Sequence, residues 1–287
     1  MEMSRGSMEG FIIKNISNDY LVKNEKGTYS CKARGKLRHK KLTPLVGDYV
    51  SFNPDDLYIL DIKDRKNSLV RPSVANIDQA IIVSSVKMPD LDTNLLDKLL
   101  TIISYNNIEP VICFTKLDLL NKEERVEIDK YIQYYRRIGY KVVTNEDKDN
   151  FREILKGKIT VLTGQSGAGK SSLLNMLDKD LDLKTDEISL SLNRGKHTTR
   201  HTELYEIMDG YVVDTPGFSS VDFHGMTGVD IRDNMKEMFE YLDCCKYRDC
   251  MHIKEDGCRV KELVDSGDIL ISRYDNYKYF NSLIDKR

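Results

Sequence analysis

Residues 164–171 have the composition and spacing of a loop that binds phosphate groups. Their sequence, Gly-Gln-Ser-Gly-Ala-Gly-Lys-Ser, fits G-x-x-x-x-G-K-[ST] in full, between an apolar strand and an apolar helix. The glycines let backbone N–H groups surround a phosphate, Lys170 reaches the β- and γ-phosphates, and the Ser171 hydroxyl binds Mg²⁺. The pattern predicts nucleotide binding, with Lys170 also catalytic, by Gly164, Gln165, Ser166, Gly167, Ala168, Gly169, Lys170, Ser171 and Ser172.

Two later segments are predicted to complete the phosphate and magnesium site. An apolar strand ends in Asp-Thr-Pro-Gly, which provides the Asp214 carboxylate for the metal and the Gly217 N–H for the γ-phosphate. Residues 194–199, Arg-Gly-Lys-His-Thr-Thr, form a polar loop with hydroxyls suited to switch I. Thr199 is the predicted second hydroxyl on Mg²⁺ and a catalytic residue, with Thr198 as the alternative.

The residue that orients the attacking water is less clearly indicated. In many GTPases a glutamine follows Asp-x-x-Gly and holds that water. Phe218 occupies this position here, and a phenyl ring cannot hydrogen-bond to water. His197 is the nearest polar candidate, and a surface histidine without a role is the alternative. We therefore expect slow hydrolysis by the chain alone.

A short motif before the phosphate loop predicts which base is bound. Residues 115–118, Thr-Lys-Leu-Asp, follow an apolar strand and are similar to the Asn-Lys-x-Asp motif of GTPases. Asp118 would accept two hydrogen bonds from guanine, which adenine cannot donate, while the Lys116 stem lies along the base. Thr115 replaces the usual asparagine, which removes the amide that usually ties this segment to the phosphate loop. Residues 144–145, Thr-Asn, stand where the guanine-capping loop is expected.

The order of these motifs is unusual for a GTPase. The guanine motif precedes the phosphate loop by about 45 residues, whereas in ordinary GTPases it follows that loop. A sheet can tolerate such a rearrangement when the new termini fall at surface connections. The order therefore predicts a circularly permuted P-loop GTPase domain.

Four residues near the C-terminus have the types and spacing of zinc ligands. The pattern is Cys-x4-Cys-x-His-x5-Cys, formed by Cys245, Cys250, His252 and Cys258. Three thiolates and one imidazole make a closed tetrahedral set, so we expect one structural zinc ion per chain. The alternative is that reduced thiols cluster here by chance. Cys244 could also take the place of Cys245 as a metal ligand.

The elements that must position these residues fall into three zones. Short apolar alternations broken by turns predict an N-terminal barrel of OB type at residues 1–72, of which 1–7 are expected to be a vector-derived remnant. Strands alternating with helices predict an α/β GTPase domain with a parallel sheet at 73–222. A helical zinc-binding domain is predicted at 223–287.

Bulk composition narrows the class of protein. The 287 residues are 40% hydrophobic and 31% charged, and no apolar run approaches the roughly 20 residues of a membrane helix. No secretory start is seen, so we expect a cytoplasmic protein with no membrane partner, and a monomer.

The charge distribution indicates a possible nucleic-acid footprint. The formal net charge is only -2, yet one run carries six basic residues without an acid. Such a local stripe on a near-neutral chain fits a phosphate backbone, and a solvated loop is the alternative. The six residues are Lys32, Arg34, Lys36, Arg38, Lys40 and Lys41.

Taken together, these motifs resemble the ribosome small-subunit-dependent GTPase A family, RsgA, also called YjeQ or YloQ. The resemblance rests on the phosphate loop, on the segments 71–78, 194–199 and 214–218, and on the cysteine–histidine tail at 245–252. It implies GTP hydrolysis to GDP that the small (30S) ribosomal subunit stimulates, binding to that subunit's rRNA, and a role late in its maturation.

Two other classes of function compete with this one. The chain could be a guanine-nucleotide-dependent RNA-binding module whose hydrolysis is incidental, which an assay with and without small subunits would reveal. It could also be a P-loop kinase or ATPase, against which Asp118 argues because it favours guanine over adenine.

Overall fold

The fold is described from a computed structural model of the chain, for residues 6–35, 37, 42–69, 73–178, 202–213 and 222–284. These residues divide into two compact units. The first takes the described residues within Met1–Gln79, Lys148–Leu162 and Leu174–Phe218, and the second those within Ala80–Asp147, Thr163–Leu173 and Ser219–Arg287. This division does not test the three expected domains, whose boundaries stay a prediction.

The first unit contains a closed five-stranded barrel with strand order β1-β2-β3-β5-β4. Side chains that alternate along the strands, among them Ile12, Val50 and Phe52, fill its interior. The barrel expected from the short apolar alternations is therefore confirmed. Its strands are β1 (Met8–Ile16), β2 (Asp19–Asn24), β3 (Gly27–Ala33), β4 (Tyr49–Asn53) and β5 (Tyr58–Ile62).

The same unit holds a second group of elements. Strand β11 pairs in parallel with β13, which pairs antiparallel with β12 through a two-residue turn at Met208 and Asp209, both at positive φ. One helix here, α3, was not predicted from the pattern. The elements are β6 (Ser68–Leu69), β7 (Val74–Ala75), α3 (Lys148–Leu155), β11 (Ile159–Gly164), β12 (Leu204–Ile207) and β13 (Gly210–Val213).

The second unit begins with strands in the order β10-β9-β8 and two helices. The Asp92 side chain caps α1 by accepting from the Leu95 N–H at 2.9 Å, and Asn121 with Glu124 forms a capping box on α2. Gly139, at φ +88°, follows the end of α2, where a glycine commonly ends a helix. The elements are β8 (Gln79–Ser85), α1 (Thr93–Tyr105), β9 (Glu109–Thr115), α2 (Lys122–Arg137) and β10 (Lys141–Thr144).

In the described part of the chain after β11 lie five further α-helices, and the last four of them build the C-terminal part of this unit. Phe223, Met238, Tyr277 and Phe280 are fully buried there and belong to one apolar cluster. The helices are α4 (Lys170–Leu177), α5 (Gly228–Asp233), α6 (Lys236–Glu240), α7 (Arg259–Asp265) and α8 (Ile271–Ile284). Among the residues that the structure describes, no helix is both long and apolar enough to cross a bilayer.

A buried ionic cluster attaches α8 to the earlier helices of the second unit. The Arg273 guanidinium, 1% exposed, donates to the Asp97 carboxylate at 2.6 Å and to the Glu237 carboxylate at 2.6 and 3.2 Å. Tyr135 donates to Asp97 at 2.7 Å, and Tyr134 to Glu237 at 2.9 Å. We call these five residues the Arg273 cluster; they come from α1, α2, α6 and α8.

Opposite charges determine the ionisation of this cluster. Burial raises the pKa of Asp97, while the charge of Arg273 opposes that shift. Burial would also raise the pKa of Glu237, but the charge and hydrogen bonds of Arg273 outweigh that effect, and the pKa of Glu237 is lowered. Burial alone would lower the pKa of Arg273, yet the two carboxylates hold it well above its usual value. The guanidinium is therefore charged and fully paired.

Candidate functional site

The phosphate loop lies between β11 and α4, as the sequence predicts. Gly164, Gly167 and Gly169 all adopt positive φ, at +130°, +72° and +93°, which residues with a side chain rarely adopt. The Lys170 ammonium donates to the Gly164 and Gln165 carbonyls at 2.9 and 2.7 Å, so it lies folded back over the loop. The conformation of this loop therefore depends on the three glycines of the motif.

Gly164 is also confined by a neighbouring strand. A Cβ built on Gly164 would lie 2.0 Å from the Val83 carbonyl oxygen of β8. No heavy atom fits at that distance, so any side chain at position 164 would displace the loop from β8. The strand at 79–85 thus forms one wall of the phosphate loop, which motif spacing alone does not indicate.

The guanine motif contacts the phosphate loop directly. The buried Thr115 hydroxyl donates to the Ala168 carbonyl at 2.6 Å. We expected the replacement of asparagine by Thr115 to remove the tie between these two segments, but the hydroxyl provides it. The contact joins residues 53 positions apart in the chain, so the guanine motif and the phosphate loop belong to one site.

Two polar residues of the guanine motif, Lys116 and Asp118, lie at the surface beside that contact, while Leu117 is buried. Lys116 has a left-handed backbone conformation at φ +63° and hydrogen-bonds to the Met88 carbonyl. Asp118 lies in a short 3₁₀ helix, Leu117–Leu119, and is exposed. At the end of β10, the Asn145 N–H donates to the Phe114 carbonyl at 3.1 Å, which brings the expected guanine-capping segment next to the strand that carries the guanine motif.

Several predicted residues lie outside the described part of the chain. They comprise the switch and catalytic candidates and most of the basic run: His197, Thr198, Thr199, Asp214, Gly217, Phe218, Lys36, Arg38, Lys40 and Lys41. Of the basic run, Lys32 and Arg34 are described and exposed.

The four predicted metal ligands are brought together in the second unit. One potential ligand atom from each of Cys245, Cys250, His252 and Cys258 lies within 4.8 Å of all the others. The His252 Nδ1 is 3.5 Å from the Cys245 Sγ and 3.3 Å from the Cys258 Sγ. Cys244 is exposed and is not among the four, so the structure selects Cys245 over its neighbour.

Hydrogen bonds from outside the cluster fix the metal loop, residues 245–258. The His252 Nε2 lies 2.9 Å from the Met238 carbonyl, so a proton on Nε2 leaves Nδ1 free to bind a metal. The Glu255 carboxylate accepts from the backbone N–H groups of Met251, Ile253 and Lys254, each at 3.0 Å.

Helix α8 holds the other side of the metal loop. Tyr274 donates to the His252 carbonyl and Tyr277 to the Met251 carbonyl, both at 2.6 Å. The loop is therefore organised by protein groups on both sides of its ligand atoms.

The donor set and its ionisation fit a metal ion. Three sulfurs and one imidazole nitrogen at these separations match the closed tetrahedral set that structural metal sites use. Burial lowers the pKa of His252, which favours the neutral imidazole that binds metals. Burial raises the pKa of Cys250 to about 12, so a bound cation is needed to stabilise its thiolate.

Comparison with known proteins identifies the family. The sequence model described as RsgA GTPase matches residues 62–224, and that described as RsgA N-terminal domain matches residues 9–57. The chain belongs to the RsgA GTPase family. In this RsgA family member the first match includes the guanine motif, the phosphate loop and both predicted switch segments, and the second includes barrel strands β1 to β4 except Met8.

Individual RsgA relatives are similar over almost their full length. The chain is 48% identical to "Small ribosomal subunit biogenesis GTPase RsgA 2" of Oceanobacillus iheyensis, with 97% of this chain and 98% of the relative covered. It is 47% identical to "Small ribosomal subunit biogenesis GTPase RsgA" of Bacillus cereus, with the same coverage. The match therefore includes the C-terminal metal loop.

Two solved structures are similar in fold. The structure titled "The crystal structure of YloQ, a circularly permuted GTPase" has a TM-score of 0.84 and 36% identity, covering 100% of this chain and 99% of that one. YjeQ from Thermotoga maritima gives 0.83 and 34%, covering 98% and 99%. The predicted fold class is thereby confirmed: an α/β circularly permuted GTPase domain with an N-terminal barrel and a C-terminal helical part.

Proposed function

We propose that the chain hydrolyses GTP to GDP and phosphate, that the small ribosomal subunit stimulates this hydrolysis, and that it acts in that subunit's late maturation. The observation that carries the proposal is the name of its relatives, small ribosomal subunit biogenesis GTPases, which align with 97% of the chain. The Thr115–Ala168 hydrogen bond supports it, because it joins a guanine motif to a phosphate loop.

Within the site, each residue has a proposed role. Asp118 reads the guanine edge, Lys170 neutralises the β- and γ-phosphates, and Ser171 with Thr199 holds Mg²⁺, which stabilises the charge that develops on the phosphates. Asp214 provides a carboxylate for the metal, and Gly217 donates its N–H to the γ-phosphate. His197 orients the attacking water in place of the glutamine that Phe218 replaces.

For the metal loop we propose one structural zinc ion per chain. Three thiolates with one imidazole favour zinc over the harder cations that prefer oxygen ligands. In the cell we propose a cytoplasmic monomer that binds GTP or GDP and contacts rRNA through its barrel and tail. In the proposed domain division, residues 1–72 bind RNA, residues 73–222 bind and hydrolyse GTP, and residues 223–287 hold the zinc ion.

The decisive experiment measures hydrolysis of GTP with and without purified small subunits. We expect subunits to raise turnover more than tenfold, and the GTP form to bind them more tightly than the GDP form, because a ligand shifts two states only through different affinity for them. If subunits neither accelerate hydrolysis nor distinguish the two forms, the RNA-binding module with incidental hydrolysis replaces this proposal.

Base specificity is tested at Asp118. Replacing Asp118→Asn reverses the hydrogen-bond preference of this side chain and should shift binding from GTP toward xanthosine triphosphate. Binding of GTP, ATP and xanthosine triphosphate is measured by calorimetry for both proteins. Equal affinity of the wild type for ATP and GTP contradicts the assignment and favours the kinase or ATPase.

The role of His197 is tested by its effect on rate alone. His197→Ala should keep GTP affinity within a few-fold and lower the stimulated rate about tenfold or more, since one positioned proton-transfer group contributes on the order of 10²–10⁴. His224→Ala, at an exposed histidine of the second unit, is the matched control. If the stimulated rate is unchanged, His197 is an ordinary surface residue without a catalytic role.

A further inference from the structure

A cleft on the outside of the barrel has no part in the nucleotide or metal site. Its volume is about 650 Å³, within the range of sites that hold small planar ligands. We call it the β1–β4 cleft, because the ladder of β1 and β4 forms one side and β13 contributes to the other. Its aromatic walls are Phe11, Tyr49 and Tyr211.

The aromatic rings of the cleft face away from the barrel core. Phe11 and Tyr49 stand opposite each other in the β1–β4 pairing, and their sequence neighbours Ile12 and Val50 are fully buried inside the barrel. The two ring centroids are 6.1 Å apart, and Tyr211 meets Phe11 edge-on at 4.9 Å. Tyr49 remains 52% exposed, so a flat ring surface is open for stacking.

The rim of the cleft is charged but balanced. Lys63 pairs with Glu9 and Lys23 pairs with Glu206, while Glu25 and Lys26 add one charge of each sign. The rim therefore lacks the positive excess that a free nucleoside polyphosphate would require. It does offer both hydrogen-bond donors and acceptors, which suits the edge of an uncharged heteroaromatic ring.

The position of the cleft also separates it from the surface that OB barrels ordinarily use. That surface is the face of strands 2 and 3 with the loops that join strands 1 and 2 and strands 4 and 5. Here the rings come from β1, β4 and β13, and β2 contributes only Lys23 and Asn24 at its end. A ligand in this cleft would therefore be bound in addition to RNA on the β2–β3 face.

We propose that the β1–β4 cleft binds one unstacked nucleobase of single-stranded RNA, with the base stacked on Tyr49 and its phosphates outside the neutral rim. The choice of RNA as the partner rests on the proposed function. Proteins that bind single-stranded RNA commonly stack such bases on exposed aromatic side chains. A peptide segment inserted among the rings is the competing occupant.

The test uses a short oligouridine carrying one 2-aminopurine, whose fluorescence falls when the base stacks on an aromatic ring. Full-length wild type, Tyr49→Ala, Tyr49→Phe and Tyr58→Ala are titrated at fixed salt. Tyr58 is a matched control because it is a 39% exposed tyrosine of the same barrel outside the cleft. We expect Tyr49→Ala to weaken binding about 5- to 150-fold, as loss of one stacked base does, while Tyr49→Phe and Tyr58→Ala stay within a few-fold of wild type.

Two outcomes overturn the proposal. The proposal is wrong if Tyr49→Ala and wild type bind the oligonucleotide with equal affinity. It is also wrong if Tyr58→Ala loses as much affinity for the oligonucleotide as Tyr49→Ala does. Weaker binding of Tyr49→Ala to small subunits with unchanged oligonucleotide binding assigns the cleft to a peptide instead. The oligonucleotide assay needs no ribosome, so a Tyr49-dependent signal without stimulated GTP hydrolysis rejects the proposed function and leaves this inference standing.

Discussion

The metal loop and the phosphate loop precede helices of similar length, yet they are built in different ways. All four candidate metal ligands come from fourteen consecutive residues, 245–258, and their ligand atoms lie within 4.8 Å of one another. The phosphate loop, in contrast, depends on strands distant in the chain, through the Val83 carbonyl beside Gly164 and the hydroxyl of Thr115.

This difference separates a locally encoded site from one assembled by the fold. A loop that carries all its ligands can be altered without affecting nucleotide binding. The phosphate loop is positioned by contacts with β8 and β9, so a change in either strand should also affect nucleotide binding. The predictions below test this contrast at both loops.

Removing metal ligands should produce the largest effect. Cys250→Ala with Cys258→Ala should lower zinc content, measured by elemental analysis, from about one per chain to near zero, because structural zinc in small motifs contributes about 10–16 kcal/mol. The tail should unravel while GTP affinity stays within a few-fold. Cys244→Ala, at the exposed neighbour, should keep the zinc, and a folded wild type without zinc would contradict the site.

The attachment of the metal loop is tested at Arg273. Arg273→Met leaves Asp97 and Glu237 buried without their partner, so the free energy of unfolding should fall by about 3–5 kcal/mol in urea titrations. Arg259→Met removes an exposed ion pair to Glu262 and should change the free energy of unfolding by less than about 1 kcal/mol. Equal effects of the two substitutions would mean that burial of the ionic cluster is unimportant.

At the phosphate loop, Gly164→Ala should weaken GTP binding while zinc content stays unchanged. The methyl group would overlap the Val83 carbonyl oxygen, which adds about 1–3 kcal/mol to the 1–2 kcal/mol of a left-handed backbone. Gly157→Ala is the control, because Gly157 also has a positive φ, +67°, but lies in open space outside the phosphate loop and should leave GTP affinity unchanged. If calorimetry gives the same GTP affinity for both variants, β8 does not have the role assigned to it.

The smallest effect is expected at the hydroxyl that joins the guanine motif to the phosphate loop. Thr115→Val keeps the shape of the side chain but leaves the Ala168 carbonyl without this donor, which costs about 1–3 kcal/mol. GTP affinity should fall accordingly, whereas Thr115→Ser should retain it. If the valine and serine variants bind GTP equally, the tie is not energetically important.

Features encoded within a few neighbouring residues could be predicted from the sequence. The ligand spacing of the metal loop, the cap at Asp92 and the stop at Gly139 all depend on local chemistry, and the structure has each of them. Phe151, Ile154 and Leu155 in helix α3 do have the i, i+3, i+4 spacing of a helix face, but the helix was missed because eight residues are too short a window for this periodicity to be decisive.

Features that depend on distant partners could not be predicted in this way. An arginine is ordinarily exposed, and the burial of Arg273 becomes understandable only when Asp97 and Glu237, 176 and 36 positions away, are known to face it. Thr115 was interpreted as a loss because its acceptor, the Ala168 carbonyl, carries no signal in the sequence. The support that Glu255 gives to the metal loop comes from neighbouring residues, and it was missed because its donors are backbone N–H groups, which carry no signal in the sequence either.

The Arg273 cluster gives its part of the molecule a particular response to heat. The free-energy penalty for removing ions from water decreases as temperature rises, whereas stabilisation by apolar burial levels off. Warming therefore shifts the balance at this junction toward its ion pairs. Helix α8 should stay attached to α1 and α6 at temperatures where purely apolar contacts between helices are already loosening.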